Sequence, residues 1–178
     1  AGSEYVLQLE GAKTNTIKTK TVIFACGSAA SPSSGSDGSG YKLVKKLGVK
    51  LVKPLPALTA LESDKKNMKL ATGVRAYGNV KIMAAGRKVS EDTGEIQFTD
   101  YGISGIPVFQ VSRFAVRALE EGQKVEALVD VAADISEEEL VSMIKCAVGT
   151  RKQQSVSESL SGIFNKKLVM MICKDIGI

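Results

Sequence analysis

The residue types best suited to ligand chemistry lie in a glycine- and serine-rich stretch, residues 21–40, which reads TVIFACGSAASPSSGSDGSG. Small residues at positions 25–28 would let a backbone or a ligand approach closely. Glycines at the end of the stretch precede a predicted helix, whose free N–H groups favour an anionic partner. The candidate binding residues are Ala25, Cys26, Gly27, Ser28, Gly35, Ser36, Gly38 and Gly40.

Two simpler interpretations of this stretch stay open. Residues 31–40 have the composition of a flexible Gly/Ser loop without chemical function. Cys26 could be a reactive thiol at a strand end, or a small buried apolar residue.

A second candidate site lies in the segment TDYGISGIPVFQVSR, residues 99–113. Pro107 suits the first turn of a helix, so we predict a helix that begins after Ser104 and Gly105 and ends at Gly122. At its N-terminus, the loop of Gly102, Ser104 and Gly105 could contact an anion or a substrate carboxylate. The alternative is that Ser104 only caps the helix.

The composition excludes several kinds of catalytic site. The chain has no histidine, which removes the commonest general base and every histidine metal ligand. The acidic residues show no spacing that predicts a carboxylate pair, so no metal site is expected and no catalytic residue is identified. Three widely separated cysteines form no disulfide framework, which fits a reducing cytosol.

Charge and hydropathy restrict the possible partners. The net charge is +5, but the lysines are scattered and aromatic residues make up only 5% of the chain. These features favour a solvated surface over a nucleic-acid interface. No long apolar run or signal-like N-terminus is present, so we expect a soluble cytoplasmic protein with no membrane partner.

The elements before Pro54 are predicted to present the first site. Tyr5–Leu9 and Thr16–Lys20 form a hairpin, and the β-branched run 21–24 predicts a strand covered on both faces. The helix 41–47 and the strand 49–52 follow.

Pro54 and Pro56 predict a domain boundary, after which the pattern changes. Short strands separated by turns indicate an antiparallel sheet or small barrel. These strands are predicted at 57–61, 73–85, 95–99 and 124–131, with turns at 85–86 and 92–94 and an exposed loop at 64–68. The last third is helical, with a capping box at Ser136 and Glu139 and a cap at Asn165. The fold class is therefore α+β, with parts at 1–53, 54–134 and 135–178.

Two motifs in this order resemble the bacterial BaiN-like flavoproteins, also called the aminoacetone-oxidase family. The stretch VIFACGSAASPSSGSDGSGYKLVKKLG resembles the family's strand ending A-T-G-G, followed by G-S-T-G-D-G-Y at the start of a helix. The stretch TGEIQFTDYGISGIPVFQVSR resembles its second signature, G-E-x-x-F-T-x-x-G-x-S-G-P. Departures are Cys26 for Thr, Ser28 for the second Gly, Asp37 and Ser39 for Thr and Asp, and Ile106 before Pro107.

The resemblance implies a flavin-dependent oxidoreductase that binds FAD, with NAD(P)H as a possible electron donor. The A-T-G-G and glycine-loop positions, residues 25–28 and 35–41, would then contact FAD, and an inserted domain would cover the substrate side of the flavin. The family's N-terminal GxGxxG segment and its C-terminal segment are not in this sequence. We therefore expect an inactive middle fragment, whose partner is the remainder of the FAD-binding domain. The alternatives are a non-enzymatic protein-binding module and a nucleic-acid-binding module.

Overall fold

The computed structural model describes residues 4–11, 15–150 and 154–178 and divides the chain into two compact units, Ala1–Pro54 and Leu55–Ile178. The second unit contains both the sheet and the C-terminal helices. The finer three-part division of the chain stays a prediction. No helix within the described residues is long and apolar enough to cross a membrane.

The first unit contains a hairpin, a loop and one short helix. Strands β1 (Tyr5–Gln8) and β2 (Thr16–Thr19) pair antiparallel, as the alternation of apolar and polar residues predicts. Helix α1 (Gly40–Lys46) follows the glycine-rich loop and ends before Gly48, which has a φ of +79°. Among its described residues, Gly40 alone is buried, so this unit has no apolar core of its own.

The predicted strands at 21–24 and 49–52 are wrong for the structure as it stands. Residues 21–28 belong to no strand or helix, and Ile23 is 84% exposed. Residues 49–52 are likewise unpaired, and Val52 is 80% exposed. A β-branched run predicts an extended backbone, but only a neighbouring strand makes it part of a sheet.

The second unit is built on a curled five-stranded antiparallel sheet with the strand order β3-β6-β5-β4-β7. The strands are β3 (Leu61–Glu62), β4 (Arg75–Ala84), β5 (Arg87–Phe98), β6 (Gly102–Ser104) and β7 (Val125–Asp130). Strands β4 and β5 are joined by the predicted turn, in which Ala85 and Gly86 both have positive φ. That geometry matches the right-handed twist of a two-residue hairpin. The antiparallel, barrel-like architecture is confirmed.

Helix α2 (Ile106–Glu120) packs its apolar stripe on the inner face of β4 and β5. Val108 and Val111 are fully buried against Val80 and Ile96, which alternate inward on the two strands. Burial of this apolar surface is the main stabilising term for the unit. Leu119, near the end of the helix, lies outside this buried stripe and is 58% exposed.

Three further helices follow the sheet: α3 (Glu137–Thr150), α4 (Val156–Leu160) and α5 (Lys166–Ile176). The backbone N–H of Glu139 donates to the Ser136 hydroxyl, and Asn165 caps α5, as predicted. A complete capping box at Ser155 and Glu158 was not predicted. Helix α5 adds Leu168 to the core and packs on a 3-10 helix at Lys66–Ala71.

Three local predictions in this unit are wrong. Residues 92–94 lie inside β5, because the sheet's cross-strand pairing overrides their turn propensity. Of residues 57–61, only Leu61 lies in a strand. The predicted loop at 64–68 runs into the 3-10 helix, where Met68 is buried against the core.

Candidate functional site

The glycine-rich loop folds around the carbonyl oxygen of Ser28. The Ser36 hydroxyl donates to that oxygen at 2.6 Å, and the Gly38 N–H donates to it at 3.0 Å. Ser31 and Ser36 exchange backbone hydrogen bonds of 3.1 and 3.2 Å across the loop. The loop is therefore held in one conformation by its own hydrogen bonds rather than by composition alone, which disfavours the flexible-linker interpretation.

Most backbone N–H groups in the second half of the loop already have acceptors inside it. Gly35 N–H donates to Pro32 O, and Ser39 N–H donates to the Asp37 carboxylate at 2.9 Å. That Ser39 N–H, together with the Ser39 hydroxyl, lowers the pKa of Asp37 below its usual value, because both interactions favour the carboxylate. An anion at this point would have to displace existing hydrogen bonds.

Gly27 and Gly38 are required by the loop's own packing. Both have positive φ, +73° and +78°, where other residues are strained. A Cβ on Gly27 would lie 3.0 Å from the Ser36 hydroxyl oxygen, and one on Gly38 would lie 3.1 Å from the Cβ of Ala29. Gly40 is buried, and a Cβ there would overlap the Sγ of Cys26.

Residues 25–28, in contrast, are exposed. The N–H groups of Ala25, Cys26 and Gly27 donate to no acceptor within the part of the chain that the structure describes. Cys26 is neither buried nor paired with another cysteine. The structure thus brings the eight residues of the first candidate site into one loop, with unsatisfied backbone groups on the 25–27 segment.

The second candidate site lies where β6 runs into α2. A Cβ on Gly102 would overlap the carbonyl oxygen of Leu61 on β3, and one on Gly105 would overlap that of Glu95 on β5. Gly105 also has a φ of +110°. Both glycines therefore allow close contact between strands, whatever else this segment does.

The prediction that Ser104 caps α2 is wrong. Ser104 ends β6 and pairs with Gln97, while Gly105 occupies the N-cap position without a side-chain hydrogen bond. The helix begins at Ile106, as predicted, and the tight approach to Glu95 requires glycine at the cap position. Ser104 is partly exposed, and its hydroxyl makes no hydrogen bond with another described residue.

A buried serine on α2, with two hydrogen bonds, was not predicted from the sequence. Ser112 on α2 is fully buried, and its hydroxyl donates to Phe109 O at 2.8 Å. The same hydroxyl accepts the Thr59 N–H at 3.3 Å and so ties residues 57–60 to the helix. The available signal was a serine within the apolar stripe of a helix, which must find partners when buried.

Comparison with known proteins places these elements in a family context. Residues 55–178 match the family model described as the HI0933-like protein barrel and H2TH domain. The chain is also similar to the 3-dehydro-bile acid delta(4,6)-reductase of Clostridium scindens, with 40% identity over 148 residues. That similarity covers 83% of this chain but only 36% of the relative, so the chain spans about a third of the relative's length.

Proposed function

The chain belongs to the HI0933-like, or BaiN-like, family of FAD-dependent flavoproteins, and we propose that it forms the central part of such an oxidoreductase. In this proposal residues 1–53 are a strand–loop–helix piece of the FAD-binding domain. Residues 54–178 are the barrel and helical domain inserted into it, which covers the substrate side of the flavin.

The observation that carries this proposal is the incompleteness of the first unit. It buries no apolar side chain among its described residues, whereas the second unit has a contiguous core. Its run at 21–24 has the β-branched composition of a buried strand but belongs to no strand and has no neighbouring strand among the described residues. A strand of this composition is stable when strands and helices cover its two edges and faces, and the remainder of a FAD-binding domain would supply them.

The residues at 25–28 fit a cofactor contact. They combine small side chains, surface exposure and unsatisfied N–H groups at Ala25, Cys26 and Gly27. In open α/β sheets, ligands bind beyond the carboxyl ends of strands, where this segment would lie. Gly35, Ser36, Gly38 and Gly40 contribute differently, because they fix the loop's shape and leave the 25–27 backbone accessible.

In the complete enzyme, bound FAD would supply the redox chemistry, with NAD(P)H proposed as the electron donor. This chain's own residues would position the cofactor and enclose the substrate. The 25–28 backbone would bind the cofactor's polar groups, and the glycine loop would hold that backbone in place. The Gly102, Ser104 and Gly105 segment would face the substrate, where the free Ser104 hydroxyl could donate a hydrogen bond.

The substrate class follows from the relative. That relative is a 3-dehydro-bile acid delta(4,6)-reductase, and we propose an organic substrate with a large apolar carbon skeleton for the enzyme that contains this chain. A reductive direction is proposed on the same ground.

The proposal is tested by restoring the missing segments. This chain of residues 1–178, purified alone, should carry no stoichiometric flavin and no reductase activity. A longer protein, with the GxGxxG and C-terminal segments of the relative joined to its two ends, should bind FAD and show flavin absorbance. Stoichiometric flavin in the chain alone, or none in the longer folded protein, would contradict the proposal.

A further inference from the structure

Leu58 holds an unusual backbone conformation for its residue type. Its φ is +52°, a region that side chains other than glycine rarely adopt. Among the described residues, Ala85 is the other non-glycine residue with positive φ, and the β4–β5 hairpin turn accounts for it. No hairpin turn accounts for Leu58.

The neighbouring hydrogen bond explains how this conformation is maintained. The N–H of Thr59, the next residue, donates to the Ser112 hydroxyl, which is itself fixed by its bond to Phe109 O. Because Ser112 is fully buried in α2, the segment is attached to the core of the unit. Strained conformations persist where the surroundings determine them in this way, and they cluster at binding sites.

The strain does not bury the leucine. The side chain of Leu58 is 67% exposed, so burial in the core does not explain why a leucine stands at this strained position. Ile106, the first residue of α2, is 74% exposed, the highest value for a large apolar side chain among the described residues 55–178. The fold therefore presents two large apolar side chains to solvent from fixed backbone positions.

The strand register places the two side chains at the same end of one ladder. Leu61 on β3 pairs with Ile103 on β6 in an antiparallel register. Leu58 lies three residues before Leu61, and Ile106 lies three residues after Ile103. Both therefore lie beyond the same end of the β3–β6 pair, beside Ser104 and Gly105.

We propose that Leu58 and Ile106 are specificity-determining residues that contact the apolar carbon skeleton of the substrate. This inference rests on the proposed function, since it assigns the substrate-facing segment its apolar contacts. Ser112 is a positioning residue, because it holds the backbone that presents Leu58. The rigid placement of both side chains lowers the entropy cost of forming the contact.

The test uses the chain as it is, without flavin, and cholate as a ring-bearing probe below its micelle-forming concentration. Cholate should shift the backbone amide NMR signals of residues 57–60, 104–106 and 108, since Pro107 has no amide proton. Leu58→Gly and Ile106→Ser should each weaken this binding about fivefold to tenfold, as expected when one large apolar side chain leaves a contact. Leu58→Gly should keep or raise the melting temperature, because glycine tolerates the positive φ.

Leu119→Ser is the matched control, since Leu119 is exposed on the same helix but lies about 20 Å further along it. This substitution should leave cholate binding unchanged. Acetate serves as an anion without a ring skeleton, and it should not reproduce the shifts at 57–60.

The proposal is overturned if cholate shifts no signals in these two segments, or if neither Leu58→Gly nor Ile106→Ser weakens binding. It is also overturned if acetate causes the same shifts. None of these outcomes depends on flavin binding, so this experiment and the one with the longer protein can fail independently.

Discussion

The thiol of Cys26 lies against Gly40, and a side chain at position 40 would occupy the same space. The contact joins the extended segment before the loop to the first residue of α1. We expect Gly40→Ala to push the Cys26 side chain into another rotamer and out into solvent. Its alkylation by iodoacetamide, followed by peptide mass spectrometry, should then become several-fold faster because thiol reactivity follows access.

Gly35→Ala is the control for this prediction. A Cβ on Gly35 meets no atom within 4 Å, so the substitution strains the backbone at φ +86° without touching Cys26. The Cys26 alkylation rate should stay near that of the unmodified chain, with the buried Cys173 as an unreactive reference. Equal acceleration in both variants would indicate general loosening of the loop instead of displacement of the thiol.

The two units should differ sharply in hydrogen exchange. Amide protection follows buried apolar contacts and protected backbone hydrogen bonds, and the first unit buries no apolar side chain among its described residues. Amides at 21–28 should exchange at nearly the rate of an unfolded peptide, while those of β4 and β5 should be strongly protected. Exchange measured by mass spectrometry at neutral pH checks this, and strong protection at 21–28 would contradict it.

In the longer flavoprotein, the same 21–28 amides should become protected. The proposed function requires neighbouring strands to accept the hydrogen bonds of residues 21–24, and the cofactor's polar groups to accept those of residues 25–27. If these amides stay unprotected in a longer protein that binds FAD, the segment is not a strand of the FAD domain.

Charge supports the view that the first unit has a distinct partner. Residues 1–54 contain eight lysines and three acidic residues, whereas residues 55–178 contain sixteen basic and sixteen acidic residues. The whole net charge of +5 therefore resides in the first unit. The net charge of the whole chain does not reveal this difference between the units, because a total does not show where the excess lies.

Local sequence signals predicted those elements whose partners lie close along the chain. The Ala85–Gly86 turn, the cap at Asn165 and the start of α2 after Gly105 depend on neighbouring residues, and all are present. The strand at 21–24 depends on pairing with distant segments, which a single run of residues cannot reveal. Residues 92–94 show the reverse case, where distant pairing makes a strand from turn-forming residues.

The candidate sites divide in the same way. Glycine and small residues predicted a loop that runs into a helix, but the sequence could not show that the amides of Gly35 and Gly38 would be used within that loop. Nor did it predict the strained Leu58, because its conformation depends on Ser112, far along the chain. The cofactor and substrate roles of these residues stay predictions.

Gly105 should be the least replaceable glycine of the second unit. Gly105→Ala would combine strain at φ +110° with overlap between the new Cβ and the Glu95 carbonyl oxygen. We expect a loss of about 2–4 kcal/mol in the free energy of unfolding. Urea denaturation followed by circular dichroism measures it, and a loss below about 0.5 kcal/mol would contradict the contact.

Gly149→Ala is the matched substitution in a relaxed position. Gly149 lies in α3, has no positive φ, and a Cβ there meets nothing within 4 Å. Alanine should stabilise the helix by about 0.5–1 kcal/mol, since glycine is a poor helix former. A loss of stability for Gly105→Ala together with a gain for Gly149→Ala would show that local geometry, and not the residue type, decides the effect of replacing a glycine.

Asp175 connects α5 to the segment between β3 and β4, and its contribution to stability should depend on pH. Its carboxylate accepts hydrogen bonds from Asn67 Nδ2 at 2.6 Å and from Lys65 Nζ at 3.1 Å. The Asn67 amide, followed by Lys65, lowers the pKa of Asp175 below 3.8. Asp175→Asn should therefore cost about 0.5–1 kcal/mol at pH 7, as for a partly exposed ion pair.

The difference in melting temperature between the unmodified chain and Asp175→Asn should vanish in acid. A carboxylate with a lowered folded-state pKa stabilises the fold fully above its unfolded-state pKa, and this contribution is lost as the pH falls through the folded-state value. Melting temperatures of the unmodified chain and of Asp175→Asn should thus converge as the pH falls through the lowered folded-state pKa of Asp175. Asp100→Asn, at an exposed carboxylate with no hydrogen-bond partner among the described residues, should leave the melting temperature at pH 7 close to that of the unmodified chain. A constant difference for Asp175→Asn across this range would mean that the side chain contributes through packing and not through its charge.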